Sequence, residues 1–447
     1  MVQIAAEFRR RGRTVLIGGP HASLVPEAAR PHGDILVRGE IEDIASGLFA
    51  DLASGHWRDE YIGTRPGLSS SPLPRWDLCR NERIYIGAVQ TSRGCPFECE
   101  FCDVIAYAGR KQRHKEPAQV LRELGQLYAL GYRAVFFCDD NFTVYRRRAR
   151  ELLSALAEWN GRREQGRMSF ATQLSMDVAE DPDLLDLCAE ASLASVYIGI
   201  ETSNMESLKQ SKKPQNARGD LVGRIHTILS HGIRIVGGMI VGFDADGPDI
   251  FEDLYKFAMA SGVPIYSLGA LVAPDATPLY ARLEKAGRLK PGVSPVQLVP
   301  WSSNIVHPTM SEEQLQHGRR WLGNRMYAPD AFAERVCTFL EKLGPLRYPV
   351  SGGRWGSARG IDAEARSMVG SISRMGPDEA RMMRRISAAA RLRPDAKGMV
   401  IDTLLQYLQV RHVYESQGFW EPRLAALASP WEVSQSHWQA ISPSACR

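Results

Sequence analysis

The sequence predicts an α/β fold: a partly closed, TIM-like (β/α) barrel, preceded by a truncated Rossmann-like α/β fragment and followed by a helical C-terminal domain. Three observations support this fold class. Between residues 84 and 300, strand-like runs alternate with amphipathic helical patterns, which is typical of a parallel sheet with helical crossovers. A shorter pattern of the same kind precedes this region. After residue 300 the pattern becomes helical and charged.

The first segment, residues 1–54, reads as an incomplete α/β layer. Strands are predicted at Thr14–Ile17 and Asp34–Val37, and helices at Ile4–Arg11, Pro26–Arg30 and Glu42–Ser54. Two strands are too few for a complete doubly wound domain. Residues 55–83 are rich in Gly, Pro and Ser, and this composition predicts a linker with little regular structure.

The barrel region, residues 84–300, carries the alternation. Strands are predicted at Tyr85–Thr91, Ala134–Cys138, Met168–Leu174, Ser195–Ile200, Ile233–Val241 and Ile265–Val272. Helices between them are predicted at Pro117–Leu130, Arg146–Trp159, Pro182–Ala191, Leu221–His231 and Asp249–Ser261. The alternation predicts parallel strands with right-handed crossovers. Because the strands are parallel, their carboxyl ends share one edge, and chemistry is expected there.

Residues 301–447 are predicted to form a separate helical domain or cap. Its helices are expected at Ser311–Tyr327, Pro329–Leu343, Pro377–Arg391 and Gly398–Tyr414.

Composition limits the possible function classes. The chain has 447 residues, is 44% hydrophobic and carries a net charge of only +4, so it can bury a large core. No basic stripe suits a nucleic acid, and no run is apolar enough for a signal sequence or a membrane span. We therefore expect a cytoplasmic protein. Its eight cysteines, most of them scattered, do not form a disulfide framework.

Three of the cysteines lie close together, at Cys95, Cys99 and Cys102, just after the first barrel strand. Three thiolates at this spacing can bind three irons of a cubane cluster and leave the fourth iron open to a small chelating ligand. A zinc knuckle is the alternative. Zinc usually takes four ligands in two pairs, and the nearest histidine, His114, offers no second pair.

The run Ser92-Arg-Gly-Cys95-Pro-Phe-Glu-Cys99-Glu-Phe-Cys102 resembles the signature of the radical S-adenosylmethionine (radical SAM) superfamily. The resemblance implies a [4Fe–4S] cluster whose open iron chelates the amino and carboxylate groups of S-adenosylmethionine. It also implies reductive cleavage of this cofactor to methionine and a 5′-deoxyadenosyl radical. Phe101 is then expected to lie against the adenine; ordinary core packing is the alternative.

Later strand ends extend the resemblance. Phe137-Cys-Asp-Asp-Asn-Phe142 resembles the motif that receives the methionine amino group, and a helix N-cap is the alternative for one of its polar residues. Thr172-Gln-Leu-Ser175 stands where the family contacts the ribose or carboxylate, although its relatives usually carry glutamate at position 173. Tyr197-Ile-Gly-Ile-Glu201 resembles the fifth-strand motif. The cofactor-binding residues that these motifs imply are Asp139, Asp140, Gln173, Ser175, Gly199 and Glu201.

The front fragment has its own resemblance. Leu16-Ile-Gly-Gly-Pro-His-Ala-Ser23 and Val37-Arg-Gly-Glu-Ile-Glu42 are similar to the second half of a cobalamin-binding domain. The chain as a whole is similar to the cobalamin-linked group that includes hopanoid C-2 methylases. The resemblance implies cobalamin as a further cofactor, but the early strands of such a domain are missing. We therefore predict weak or no cobalamin binding by the chain as written.

The implied function is modification of an unactivated carbon in a small-molecule or lipid-like substrate, with electrons from a reductase or a flavodoxin-type donor. The outcome is cobalamin-linked methylation, or a rearrangement or cyclisation without cobalamin. Two alternatives lack a feature that each would need. A non-catalytic electron-transfer protein would need a fourth nearby thiolate. A transfer-RNA methylthiotransferase would need an upstream cysteine triad, and only Cys79 lies upstream.

Overall fold

The structure is a computed structural model that describes residues 2–79, 84, 86–294, 302–348 and 366–432. The predicted boundaries at residues 83 and 300, and the tail after residue 432, lie outside these residues. At the start, three parallel strands form a small sheet: β1 (Leu16–Ile17), β2 (Ile35–Arg38) and β3 (Glu60–Ile62). Helices cover it: α1 (Val2–Arg10), α2 (Pro20–Leu24), α3 (Pro26–Ala29) and α4 (Ala45–Ser54).

Strand β3 was not predicted. Residues 55–83 were expected to form an irregular linker, and the front fragment was expected to have two strands. Tyr61, at the centre of β3, is buried and pairs with Val37 of β2. Three residues are too short to show the alternation that marks a strand. Pairing with β2 and burial of one tyrosine therefore decide the conformation, and neither is visible in the local pattern.

The barrel is confirmed as a six-stranded parallel sheet in the order β11-β10-β9-β8-β7-β4. Neighbouring strands of the sheet follow one another in the chain, apart from a small antiparallel hairpin of β5 (Ser92–Arg93) and β6 (Arg113–His114). In the described residues β4 and β11 do not pair, so the barrel is only partly closed. Its strands are β4 (Gly87–Val89), β7 (Ala134–Phe137), β8 (Ser169–Leu174), β9 (Leu193–Glu201), β10 (Arg234–Val241) and β11 (Ile265–Ala270).

Helices connect these strands close to the predicted positions. They are α5 (Val104–Tyr107), α6 (Pro117–Ala129), α7 (Arg146–Gly161), α8 (Pro182–Glu190), α9 (Met205–Gln210), α10 (Leu221–Ser230), α11 (Ile250–Ser261) and α12 (Pro278–Lys285). The short helices α5, α9 and α12 were not predicted. Each follows a strand-end loop, and these loops build the site described below.

The C-terminal part is helical, as expected. It contains α13 (Glu312–Tyr327), α14 (Pro329–Lys342), α15 (366–372), α16 (Pro377–Leu392), α17 (Lys397–Ser416) and α18 (Pro422–Ala426). Its apolar side chains join the same hydrophobic core as the barrel. The Tyr327 hydroxyl, for example, donates to the Tyr266 carbonyl of β11 at 2.7 Å and accepts from its amide at 3.0 Å. We find no helix in the described residues with the length and hydrophobicity to span a bilayer.

Candidate functional site

The three clustered cysteines lie on one loop, between β5 and α5 at the carboxyl edge of the barrel sheet. The loop turns sharply at Gly94, whose φ is +97°. A Cβ atom at Gly94 would lie 2.8 Å from the Gly109 carbonyl oxygen and 3.0 Å from that of Lys111. The Cys95 amide donates to the Gly109 carbonyl at 3.2 Å. Only glycine fits this turn, which places Cys95 at the start of the loop.

Burial sets the chemistry of these thiols. Cys99 is buried, and Cys95 and Cys102 are half-buried. Burial raises the pKa of all three, that of Cys102 to about 12. Their thiolates therefore need nearby positive charge, which the irons of a cluster supply. In the described residues, no three His, Cys, Asp or Glu side chains converge on a single metal ion. A cubane, by contrast, spreads its thiolates over separate irons.

Asp139 lies at the end of β7, is buried, and anchors the chain ahead of the cysteines. Its carboxylate accepts the Thr91 and Ser92 amides at 2.7 and 3.0 Å, and also both of their hydroxyl groups. Burial raises its pKa to about 6, although these hydrogen bonds favour the ionised form. Four donors from the β4–β5 turn occupy the carboxylate, so its geometry indicates an anchor for this turn.

Asp140 and Asn141 face the cysteine loop. The Asp140 carboxylate accepts the Gly94 amide at 2.8 Å and also contacts the Tyr107 hydroxyl. The Asn141 amide donates to the Ser175 hydroxyl at 2.5 Å, and a hydrogen bond from Asn141 favours the thiolate of Cys95. Its Oδ1 atom is buried and accepts no hydrogen bond from the part of the chain that the structure describes. Asn141 was not among the cofactor-binding residues that the sequence motifs implied.

Gln173 and Ser175 follow on the next strand, β8. Ser175 is the hydroxyl that accepts from Asn141, so the ends of β7 and β8 are tied together. Gln173 is half-buried and pairs in register with Tyr197 of β9. In the described part of the chain, nothing hydrogen-bonds to its side-chain amide.

Gly199 and Glu201 end β9 in an unusual conformation. Glu201 has φ +67°, a left-handed value that is rare for a residue with a side chain. Its buried carboxylate forms an ion pair with Lys213. A Cβ at Gly199 would lie 2.3 Å from the Glu201 carboxylate and 2.8 Å from the Lys213 ammonium. Glycine at 199 therefore leaves the space that this ion pair occupies.

The loop after α9, Ser211–Asn216, contributes to the site and was not predicted from the sequence. The Glu100 amide donates to the Ser211 carbonyl at 3.0 Å, which holds this loop against the cysteine loop. Gln215 donates to the Cys99 sulfur at 3.8 Å, and the Asn216 amide donates to the Gly199 and Ile200 carbonyls. The only signal in the sequence was a cluster of polar side chains, Lys-Lys-Pro-Gln-Asn, after a short helix.

Phe101 lies at the far side of the loop. Its ring meets the Phe243 ring edge-on at a centroid distance of 6.0 Å, and the Lys213 ammonium lies 6.0 Å above it. Glu100, next to it, binds Arg282 of α12 at 2.7 Å, and Arg282 also binds Asp244 at 2.7 Å. Phe101 thus packs among residues from the ends of β10 and β11, close to the buried ion pair.

Several buried oxygen atoms of the site lack a hydrogen-bond donor among the described residues, and a bound cofactor could supply one. They show whether the site suits the implied cofactors. The side-chain oxygens of Asn141, Gln215 and Asn216 are buried and make no hydrogen bond in the described structure. A ligand that carries an ammonium group, an exocyclic amine and hydroxyl groups would supply such donors. S-adenosylmethionine carries all three. The buried thiols and these acceptors together fit a cluster with a bound S-adenosylmethionine.

Comparisons with known proteins agree with this geometry. Residues 89–258 match the family model of the radical SAM superfamily, and residues 277–395 match a domain of unknown function (DUF4070). An uncharacterized methyltransferase of Synechocystis is 39% identical over 77% of this chain and 64% of its own length. The hopanoid C-2 methylase of Rhodopseudomonas palustris is 35% identical over 62% of this chain and 53% of its own length. The chain thus spans roughly half to two thirds of each relative.

Solved structures share the fold at low sequence identity. The cobalamin-dependent radical enzyme OxsB has a TM-score of 0.54 at 13% identity, over 94% of this chain and 71% of its own. The radical SAM methyltransferase TsrM of Kitasatospora setae, solved with cobalamin and a [4Fe–4S] cluster, has a TM-score of 0.53 at 17% identity. That match covers 70% of this chain and 68% of TsrM. Cysteine spacing, barrel and matched family model agree, and residues 89–258 therefore form a radical SAM domain.

Proposed function

We propose that this chain is a radical SAM enzyme that cleaves S-adenosylmethionine reductively and uses the 5′-deoxyadenosyl radical on an unactivated carbon of a small-molecule or lipid-like substrate. The observation that carries the proposal is the loop with Cys95, Cys99 and Cys102, three buried or half-buried thiols at the carboxyl edge of the barrel. When bound there, the [4Fe–4S] cluster supplies the electron for cleavage and an open iron for chelation.

The surrounding residues would hold S-adenosylmethionine. Lys213 is a buried cation beside the cysteine loop and is suited to the cofactor carboxylate. The unpaired oxygens of Asn141, Gln215 and Asn216 would accept from its donors. Phe101 offers an aromatic face near Lys213 for the adenine. The cysteine loop and the strand ends beside it would be held in shape by Asp140, Ser175, Gly199 and Glu201. Gln173 would contact the ribose or the carboxylate of S-adenosylmethionine.

We further propose methyl transfer as the reaction outcome, linked to a cobalamin that the front fragment by itself would hold only weakly. The two relatives described above are a hopanoid C-2 methylase and a methyltransferase of undefined substrate. In the front sheet the Gly18–Gly19 turn after β1 is exposed, which leaves room for a corrin edge there. The turn after β2 is occupied, because Glu40 binds Arg93 and Arg113. A rearrangement or cyclisation is the alternative outcome.

Two measurements test the core proposal. Anaerobically reconstituted protein should bind four irons and four sulfides and, after reduction with dithionite, convert S-adenosylmethionine slowly to 5′-deoxyadenosine. Changing Cys95, Cys99 or Cys102 to Ala should remove the cluster and this product. Cys138→Ala is the matched control, since Cys138 is exposed at the neighbouring β7 end. An intact cluster without 5′-deoxyadenosine would point to an electron-transfer protein.

Cobalamin needs its own experiment. Hydroxocobalamin titration followed by gel filtration should show little cofactor retained by the chain as written, because few strand-end loops are available to hold a corrin rim. Stoichiometric retention would show that the three-stranded fragment is a sufficient platform. Mass spectrometry of the product, with and without cobalamin, would separate methylation from rearrangement.

A further inference from the structure

Arg319, in the middle of α13, is a buried cation that has no counter-ion within 4 Å among the described residues. Its side chain is 2% exposed, and its only hydrogen bond within the described structure runs from Nε to the Leu315 carbonyl at 3.1 Å. The Nη1 atom is buried and has no hydrogen-bond partner among those same residues. Burial lowers the pKa of Arg319 to about 10, although Glu312 partly opposes this shift. A buried guanidinium that is neither paired nor fully hydrogen-bonded is strongly disfavoured.

Two other buried arginines, Arg335 and Arg411, have acceptors for their terminal nitrogens that Arg319 lacks, although the Nε atom of Arg411 is also buried without a partner in the described structure. Arg335 donates to the carbonyls of Val263, Pro264 and Met326. Arg411 binds the Glu379 carboxylate at 3.0 Å. Arg319 has no such set of acceptors in the residues that the structure describes.

Arg319 lines a cleft at the ends of β10 and β11, and the other polar groups of this cleft are already used. His307 accepts the Thr309 and Met310 amides at Nδ1, so its Nε2 donates to the Phe243 carbonyl at 2.7 Å. The Ser303 hydroxyl donates to the Leu271 carbonyl at 2.5 Å. Glu312 accepts from Lys290 at 2.6 Å. The polar group of the cleft that still lacks acceptors in the described residues is therefore the Arg319 guanidinium. Because it is a cationic donor, an anion would suit it as a partner.

The cleft shares the edge of the sheet with the cofactor site. It is lined by Val241 and Gly242 at the end of β10, and the next residue, Phe243, contacts the Phe101 ring of the cysteine loop. A molecule bound in the cleft would therefore lie at the end of β10, where Phe243 contacts the cysteine loop. This position suits a substrate group better than a remote regulatory ligand.

We propose that Arg319 binds an anionic group of the substrate, a carboxylate or a phosphate. The substrate class is then an acid or a phosphorylated compound rather than a neutral molecule. A planar or tetrahedral oxyanion gives the guanidinium the paired acceptors that it lacks. This inference deepens the proposed function and rests on it only for identifying the bound molecule as the substrate.

Calorimetric titration of the full chain with its reconstituted cluster tests the inference. Inorganic phosphate and acetate, each added at constant ionic strength, are the two probes, and they separate a phosphate site from a carboxylate site. We expect saturable binding of one of them with one site per chain. Arg319→Met should weaken this binding at least about tenfold, and Arg319→Lys, which keeps the charge, should weaken it less. Arg122→Met, at an exposed position on α6, is the matched control and should bind like the wild type.

A structural role for Arg319 gives a different result. If the guanidinium only supports the fold, Arg319→Met should lower the midpoint of urea unfolding without added anion, and anion binding should be equal in both proteins. We expect the midpoint to stay equal or rise, because an uncompensated buried charge is removed. Absence of saturable binding to the wild type would also overturn the inference. The iron content of the protein is measured in a separate assay. A protein that fails to assemble a cluster would refute the proposed function, whereas the result for anion binding would stand.

Discussion

The Glu201 carboxylate and the Lys213 ammonium form an ion pair in which both side chains are about 90% buried, beside the cysteine loop. Glu201 reaches Lys213 from a left-handed backbone, with φ +67°. Such conformations persist only where the surrounding structure enforces them, and they are common at functional sites. The Asn216 amide, which holds the Gly199 and Ile200 carbonyls, fixes the strand end that carries Glu201.

Removing one partner of this ion pair should destabilise the protein more than removing both partners. Glu201→Gln or Lys213→Met alone leaves one buried charge uncompensated, which typically costs about 3–5 kcal/mol of unfolding free energy. The double variant should lose clearly less than the sum of the two single variants. Urea unfolding of all four proteins under anaerobic conditions measures this coupling. Additive losses would show that the two groups do not stabilise each other.

Gln215 should tune the reduction potential of the cluster. Its amide donates to the Cys99 sulfur at 3.8 Å, and a donor to a cluster sulfur stabilises the more negative, reduced state. Gln215→Leu should therefore shift the potential to more negative values, by an amount on the order of tens of millivolts. Potentiometric titration followed by electron paramagnetic resonance measures the shift. Gln210→Leu, at an exposed position on α9, is the control, and an equal shift in this variant would contradict the assignment.

Glu40 should control how the front fragment docks on the cysteine loop. Its carboxylate binds Arg93 of β5 at 2.7 Å and also Arg113 of β6. Glu40→Gln leaves two guanidinium groups without this carboxylate, so local opening of the fragment should become easier. Trypsin cleavage after Arg58 or Arg75 should accelerate at least about tenfold. Glu158→Gln removes only an exposed ion pair with Arg162 and should cleave at the wild-type rate.

Asp244 should contribute stability that is lost in acid. Burial opposes its ionisation, but hydrogen bonds from Arg288 and Arg282 outweigh burial and hold its pKa below the usual 3.8. A lowered pKa in the folded state means a stabilising effect that is complete above about pH 4 and decreases as the pH falls through the folded-state pKa. The difference in unfolding free energy between the wild type and Asp244→Asn should therefore shrink between pH 5 and pH 3.

Urea unfolding of the cluster-free protein across this pH range measures the Asp244 effect. Asp253→Asn, in an exposed and long ion pair with Lys256 of the same helix, is the control. A difference between wild type and Asp244→Asn that stays constant with pH would contradict the assigned direction of the pKa shift.

Local patterns in the sequence were enough to predict the framework. Strand and helix periods identified all six barrel strands, because alternation and helical spacing depend only on neighbouring residues. The spacing of Cys95, Cys99 and Cys102 indicated a cluster-binding loop for the same reason. The strand-end motifs also located Asp140, Ser175, Gly199 and Glu201 at the edge where the structure has them.

Other parts of the site depend on contacts between distant residues, which leave no periodic signal. Gln215 meets Cys99 across 116 positions, and Arg282 meets Glu100 across 182. Tertiary packing also made Asp139 an anchor for the Thr91–Ser92 turn and left Arg319 without a counter-ion among the residues that the structure describes. The sequence by itself determined the six barrel strands, the long helices between them and which loop carries the cysteines. Only the tertiary structure decided which side chains surround that loop, because partner choice depends on how separate strand ends pack together.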